Sequence, residues 1–320
     1  MNHCRHSRPE RARARTGAAA SRPMTFLPRA ATLLLSRESW HLMRKATPLA
    51  IVVALASVAA CGRARTDGAA ATDAADEAGP RTGERAVEAL VGEWLQKIEL
   101  PDKGFAYVTP PLGAAVRRPV VVAVHGASDD PGYMCSAWRA ITDVYPFVVC
   151  PAGSPVAGGK YTWGSADQLE KRVLEAIAAV EKRWPDHVEV GGPVVYTAFS
   201  QGSTLAGPLL IRHGERIPRA VLTEGGYGVF ADGKAARGFA HAGGERVLFS
   251  CSQAGCAGSF KASIATLASV NVSARIEDAG PLGHSIPPPA REGLNRQLPF
   301  VVEGLRGWEG YARHPRLPAH

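Results

Sequence analysis

Along this chain, short apolar runs alternate with longer segments whose apolar positions recur every three or four residues. Pro119 to Val124, Phe147 to Pro151 and Pro193 to Phe199 carry apolar, mostly β-branched side chains with almost no polar face. Runs of that length without alternation are buried on both faces, as central strands of a parallel sheet are. Lys103 to Thr109, Arg219 to Thr223, Arg246 to Ser250 and Val272 to Glu277 read as further strands. The clearest helix is Ala166 to Trp184. Leu169, Val173, Leu174, Ile177 and Val180 form one stripe, with Glu170, Lys171, Glu175, Glu181 and Lys182 outside and Pro185 as the stop. Weaker helical spacing predicts helices over Arg85 to Leu100, Pro131 to Val144, Ser203 to His213, Ser259 to Val270 and Pro288 to Trp308. Gly153 to Gly159 reads as a loop. Strands and helices taken in turn predict an α/β domain over 85–308, with a mostly parallel central sheet and helices on both faces.

The N-terminal part has a different pattern. Met43-Arg44-Lys45 is a short basic stretch, and Ala46 to Ala60 is apolar but short for a membrane span. The sequence Val58-Ala59-Ala60-Cys61 that ends it resembles a bacterial lipobox. It implies a signal peptide starting at Met43 within a leader of residues 1–60, and lipidation at Cys61. The expected localisation is then the bacterial cell envelope, with the domain facing the periplasm or the exterior and held to the membrane by an N-terminal lipid anchor. Gly62 to Glu84 holds Ala, Gly, Asp and Thr without an aromatic residue and reads as a linker (61–84) that cannot bury a core. The tail, 309–320, is expected to be loose.

Charge and cysteines sharpen this. The formal net charge is +8, but residues 1–60 hold ten Lys/Arg and two Asp/Glu, and the 27 Lys/Arg and 27 Asp/Glu beyond them balance. The basicity belongs to the leader, so the domain has no electrostatic call on nucleic acid. Of six cysteines, Cys135, Cys150, Cys251 and Cys256 lie in the domain. An oxidising compartment favours two disulfides among them. Three connectivities are open; Cys251 with Cys256 is the local pairing and Cys135 with Cys150 its complement, against buried free thiols.

Chemistry enters at Ala198-Phe199-Ser200-Gln201-Gly202. An apolar strand ends there, small residues permit a sharp turn, and a helix-compatible stretch follows. That layout places a serine hydroxyl at the apex of a nucleophile elbow, with a helix N-terminus aimed at it. A serine hydroxyl needs a base, and His284 stands in the loop between the last strand and the last helix. His241 is the second choice, but precedes a strand.

These residues, together with His125-Gly126 after an earlier buried strand and Gly283-His284, resemble the α/β-hydrolase superfamily in content and order. The resemblance spans Lys103 to Trp308, with Ala198 where glycine is usual. It implies hydrolysis of ester, and also thioester or amide, bonds through an acyl-enzyme on Ser200, with small-molecule ester substrates and no cofactor. It further implies an oxyanion hole from the backbone N–H groups of Gln201 and Ala127. The acid that orients the histidine usually follows the penultimate strand. Here that stretch is Cys251-Ser-Gln-Ala-Gly-Cys256, without a carboxylate. Glu224, closing the strand after the elbow helix, is the preferred replacement. Asp278 and an acid-free arrangement using Gln253 are the alternatives. Tyr161 and Trp163 follow a loop at a strand end and are expected to line a substrate pocket. No metal motif is present: the histidines are scattered and HExxH does not occur. Two other readings use the same residues, an envelope binding protein that keeps the fold without turnover and a serine peptidase.

Overall fold

The computed structural model describes residues 87–313. The leader, the signal expected from Met43, Cys61 and the whole 61–84 linker region therefore lie outside the described residues. The elements in chain order are β1 (Gln96–Leu100), β2 (Gly104–Thr109), β3 (Val120–Val124), α1 (Pro131–Ile141), β4 (Phe147–Pro151), β5 (Ser154–Val156), β6 (Lys160–Thr162), α2 (Ala166–Arg183), β7 (Val194–Phe199), α3 (Gln201–Thr204), α4 (Gly207–His213), β8 (Arg219–Thr223), α5 (Gly233–His241), β9 (Arg246–Cys251), α6 (Cys256–Ser259), α7 (Lys261–Ala268), β10 (Ser273–Asp278) and α8 (Pro288–Val302).

Eight strands form one sheet in the order β1-β2-β4-β3-β7-β8-β9-β10. β4, β3, β7, β8, β9 and β10 pair in parallel, while β2 runs antiparallel to both its neighbours. This is the α/β-hydrolase fold: a mostly parallel sheet with helices on both faces. The apolar runs explain why. In β3, Val120, Val122 and Val124 face one core layer, shared with α2, while Val121 and Ala123 face the other, shared with α1 and α8. All five side chains are buried, and covering a valine is worth about 1.5–3 kcal/mol. Such a strand has no face to offer water.

Local signals set the helix starts nearest the site. The Asp130 carboxylate caps α1 by accepting from the Gly132 N–H at 2.8 Å, and Pro131 occupies the first turn. The Ser165 hydroxyl caps α2 by accepting from the Gln168 N–H.

Several expectations need correction. Residues 87–95 are not helical. β1 forms instead over Gln96–Leu100, because Ile98 and Leu100 alternate inward and pair with β2. Of the Leu and Trp side chains there expected to pack on the domain, Leu90 is buried and Leu95 packs against the core, but Trp94 is 46% exposed. The helix expected over Ser203 to His213 is divided into α3 and α4, since Pro208 favours a helix start over a helix interior. Part of the expected loop at Gly153 to Gly159 joins the β5–β6 hairpin. α5 arose from no recognised stripe: its buried side chains are only Ala236 and Phe239. The last helix ends at Val302, not near Trp308. The tail is not loose at its start, for Tyr311 is buried against Tyr145 and Trp308.

Disulfides join Cys135 to Cys150, tying α1 to β4, and Cys251 to Cys256. The first closes 15 residues of sequence between two fully buried side chains. Replacing both with alanine should lower stability by about 3 kcal/mol in the chain-entropy account. Urea unfolding checks this; a loss below about 1 kcal/mol would mean that packing in the folded state, not the cross-link, sets stability there.

Candidate active site

The site sits at the C-terminal ends of β3, β7, β8 and β9, and it begins with a strained turn. Ser200 follows β7 with φ 52° and ψ −113°, a left-handed backbone that costs a non-glycine residue about 1–3 kcal/mol. The surroundings hold it there. The Ser200 N–H donates to Thr223 O at 2.9 Å, and the buried Ser203 hydroxyl donates to Ala198 O at 2.8 Å. Tyr196, whose phenol burial pushes upward in pKa, donates to Gly202 O at 2.9 Å. The close approach of strands explains two glycines. A Cβ on Gly225 would stand 2.3 Å from Ser200 O, and one on Gly202 would stand 2.8 Å from His125 O.

The Ser200 hydroxyl lies 2.8 Å from His284 Nε2. His284 comes from the loop after β10, 84 residues away, and its ring lies 4.8 Å from that of Phe199. Nδ1 of the same imidazole lies 3.5 Å from Glu224 Oε2. Glu224 reaches it because it is the first residue past β8, itself at φ 54°, and its side chain is fully buried. Asp278 bonds the N–H of Gly280 at the exposed end of β10, and no contact joins it to His284. His241 ends α5, on the helical layer away from these strand ends.

Gln201 follows Ser200 in the chain, and Ala127 lines the same pocket as Ser200. Gln201 is the first residue of α3, so its N–H has no partner within the helix. Ala127 lines a pocket of about 490 Å³ with Ser200 and His284, together with Asp129, Tyr133, Lys160, Phe199 and Ile286. A buried frame fixes the two chain segments. His125 Nδ1–H donates to Gly126 O at 2.7 Å, and His125 Nε2 accepts from the Gly153 N–H at 3.1 Å. Burial pushes the imidazole below its ordinary pKa, which suits this neutral role. Trp163 stacks on His125 at 4.7 Å and donates its indole N–H to His125 O. The Gln201 amide closes the frame, accepting from the Trp163 N–H and donating to Trp163 O.

Tyr161 and Trp163 therefore stand behind the Ala127 loop and not along the pocket wall. Trp163 is buried, and the backbone of Tyr161 pairs with that of Asp129. Their aromatic character marked the right region but could not tell a supporting face from a lining one. Ser252 is the residue that sequence reasoning missed. Its N–H donates to Glu224 Oε1, and its hydroxyl lies 2.9 Å from the same oxygen. A serine between two cysteines carries no signal of that role. Among the described residues, no group of three or more His, Cys, Asp and Glu side chains could hold a metal ion.

No protein-family model and no curated protein matches the chain. Solved structures do. A carboxylesterase from Bacillus cereus matches at 14% identity and a TM-score of 0.46, covering 63% of this chain and 96% of its own. A poly(aspartic acid) hydrolase from a Sphingomonas species matches at 11% identity and 0.45, covering 66% and 99%. An uncharacterized protein from Bacillus cereus matches at 13% identity and 0.48, covering 59% of this chain and 60% of its own.

Proposed function

We propose that this protein is a serine hydrolase that cleaves small-molecule esters, and by the same chemistry thioesters, through an acyl-enzyme. The observation that carries the reading is the relay from Ser200 Oγ through His284 to the buried carboxylate of Glu224. A strained turn presents the nucleophile, and three different strand ends converge to build the relay.

In this reading, the Ser200 oxygen attacks the ester carbonyl carbon while its proton passes to His284 Nε2. Glu224 stabilises the imidazolium through Nδ1–H. The carbonyl oxygen, now an oxyanion, accepts from the N–H groups of Gln201 and Ala127. Each such donor is worth about 3–4 kcal/mol where one has been removed in other enzymes. Collapse expels the alcohol, which takes the proton from His284. Water activated by the same imidazole then releases the acid and restores Ser200.

The reading includes export through the segment from Met43 and lipidation at Cys61. Two disulfides in the domain support an oxidising compartment. Among the described residues, no helix is long and apolar enough to cross a membrane.

A fluorophosphonate probe followed by peptide mapping tests the proposal. The expected adduct is on Ser200. A folded protein that stays unlabelled, with no turnover of p-nitrophenyl esters, would instead fit a binding protein that keeps the fold.

A further inference from the structure

The disulfide-closed stretch Cys251–Cys256 follows β9 and contains no carboxylate, yet it touches both the acid and the base. The Ser252 N–H donates to Glu224 Oε1. The Ser252 hydroxyl has one proton and three oxygens within reach: Glu224 Oε1 at 2.9 Å, Gly283 O at 2.9 Å and Ser285 O at 2.7 Å. The last two are the carbonyls on either side of His284. Gln253 Nε2 donates to Glu224 Oε2 at 2.7 Å and also lies against His284 Nδ1. Main-chain bonds complete the set, from Leu282 N–H to Ser252 O at 2.7 Å and from Ala279 N–H to Cys251 O at 2.8 Å.

We propose that the Cys251–Cys256 loop is the positioning element of the relay, with Ser252 and Gln253 as positioning residues that aim Glu224 and fix the His284 loop. The inference rests on the serine-hydrolase reading above. Three physical points support it. First, Glu224 is fully buried, and a buried carboxylate is tolerated only when donors replace water. The Ser252 N–H supplies Oε1 and Gln253 Nε2 supplies Oε2, while the single Ser252 hydroxyl proton goes to Oε1 or to a carbonyl beside His284. Secondly, the loop has little else to hold it. Ala254 and Gly255 are exposed, Gly255 has φ +77°, and the apolar anchors are the two half-cystines, both buried. The cross-link does the work that a packed side chain does elsewhere. Thirdly, the Gln253 amide must present N–H toward Glu224, since a carbonyl oxygen at 2.7 Å from a carboxylate would be repelled. The same amide lies against the imidazole, so one side chain holds the carboxylate and the ring in register.

The expected signature is in kcat. Gln253→Ala, Ser252→Ala and the double variant Cys251→Ala/Cys256→Ala should each lower kcat for p-nitrophenyl acetate by about 10- to 100-fold, the scale of a small misplacement of reacting groups. KM should stay within about twofold, since none of these side chains reaches the ester. Gln253 is half-exposed, so its variant folds even where the buried Ser252 variant does not. It also carries a readout that a merely structural role would not move. Its loss should fall on kcat with KM held, whereas a loosened fold would move KM and lower the melting temperature as well. If Gln253→Ala keeps its kcat while wild-type Ser200 is labelled by fluorophosphonate, this inference is overturned and the hydrolase reading stands. If the folded wild type is not labelled at Ser200, both fall.

Discussion

Ser200→Ala removes ester hydrolysis almost completely, with kcat falling by about 10⁶-fold, the loss seen when a triad nucleophile is deleted. The expectation follows from the chemistry of the elbow. In the proposed reaction this hydroxyl forms the acyl-enzyme, and His284 Nε2, 2.8 Å away, is placed to take its proton. The substitution deletes one oxygen from a half-buried side chain and leaves the frame around it intact. Ser203, Tyr196 and the close approach of Gly225 fix the turn without using Ser200 Oγ. Folding should therefore be unchanged by circular dichroism and thermal melting. A folded Ser200→Ala protein that still turns over p-nitrophenyl esters would exclude this site.

Glu224→Gln should cost about 10⁴-fold in kcat, the loss that accompanies an acid-to-amide change in a triad of this type. An amide in place of the carboxylate cannot stabilise the imidazolium, and it brings an NH₂ group into a pocket already furnished with donors from Ser252 and Gln253. Asp278→Asn is the matched control and should behave as wild type, since the Asp278 carboxylate turns to Gly280 and not to His284. The pair of variants discriminates between the two acids directly. Equal losses, or a loss only at Asp278, would move the acid to the end of β10.

Much of the fold was legible because burial on both faces leaves a plain mark. A central strand has no solvent side, so β3, β4 and β7 read as unbroken apolar runs. The elbow was legible for a similar reason: a buried strand, small residues and a serine stand consecutively, so the whole motif is local. β1 was misread because Val91, Trp94, Leu95 and Ile98 happen to fall at helical spacing. The alternation of Ile98 and Leu100 against β2 outweighed that spacing, since pairing on one edge plus burial of both side chains gains more than a lone amphipathic turn. α5 was overlooked because two buried side chains make too narrow a stripe to register.

Local pattern, then, was enough for the layered α/β architecture, the serine at the turn and the histidine after the last strand, because each depends on neighbours in sequence. For the acid it preferred Glu224, with Asp278 or an acid-free arrangement left as alternatives. Folding brings Glu224 beside His284, 60 positions later in the chain, and it puts Ser252 between them. Those contacts depend on strand order and on the direction of a side chain at a single positive-φ residue, and neither leaves a periodic trace. The same holds for Trp163. An aromatic residue near a strand end is equally suited to line a pocket or to brace the loop behind it. Only the folded chain shows that its ring is buried against His125.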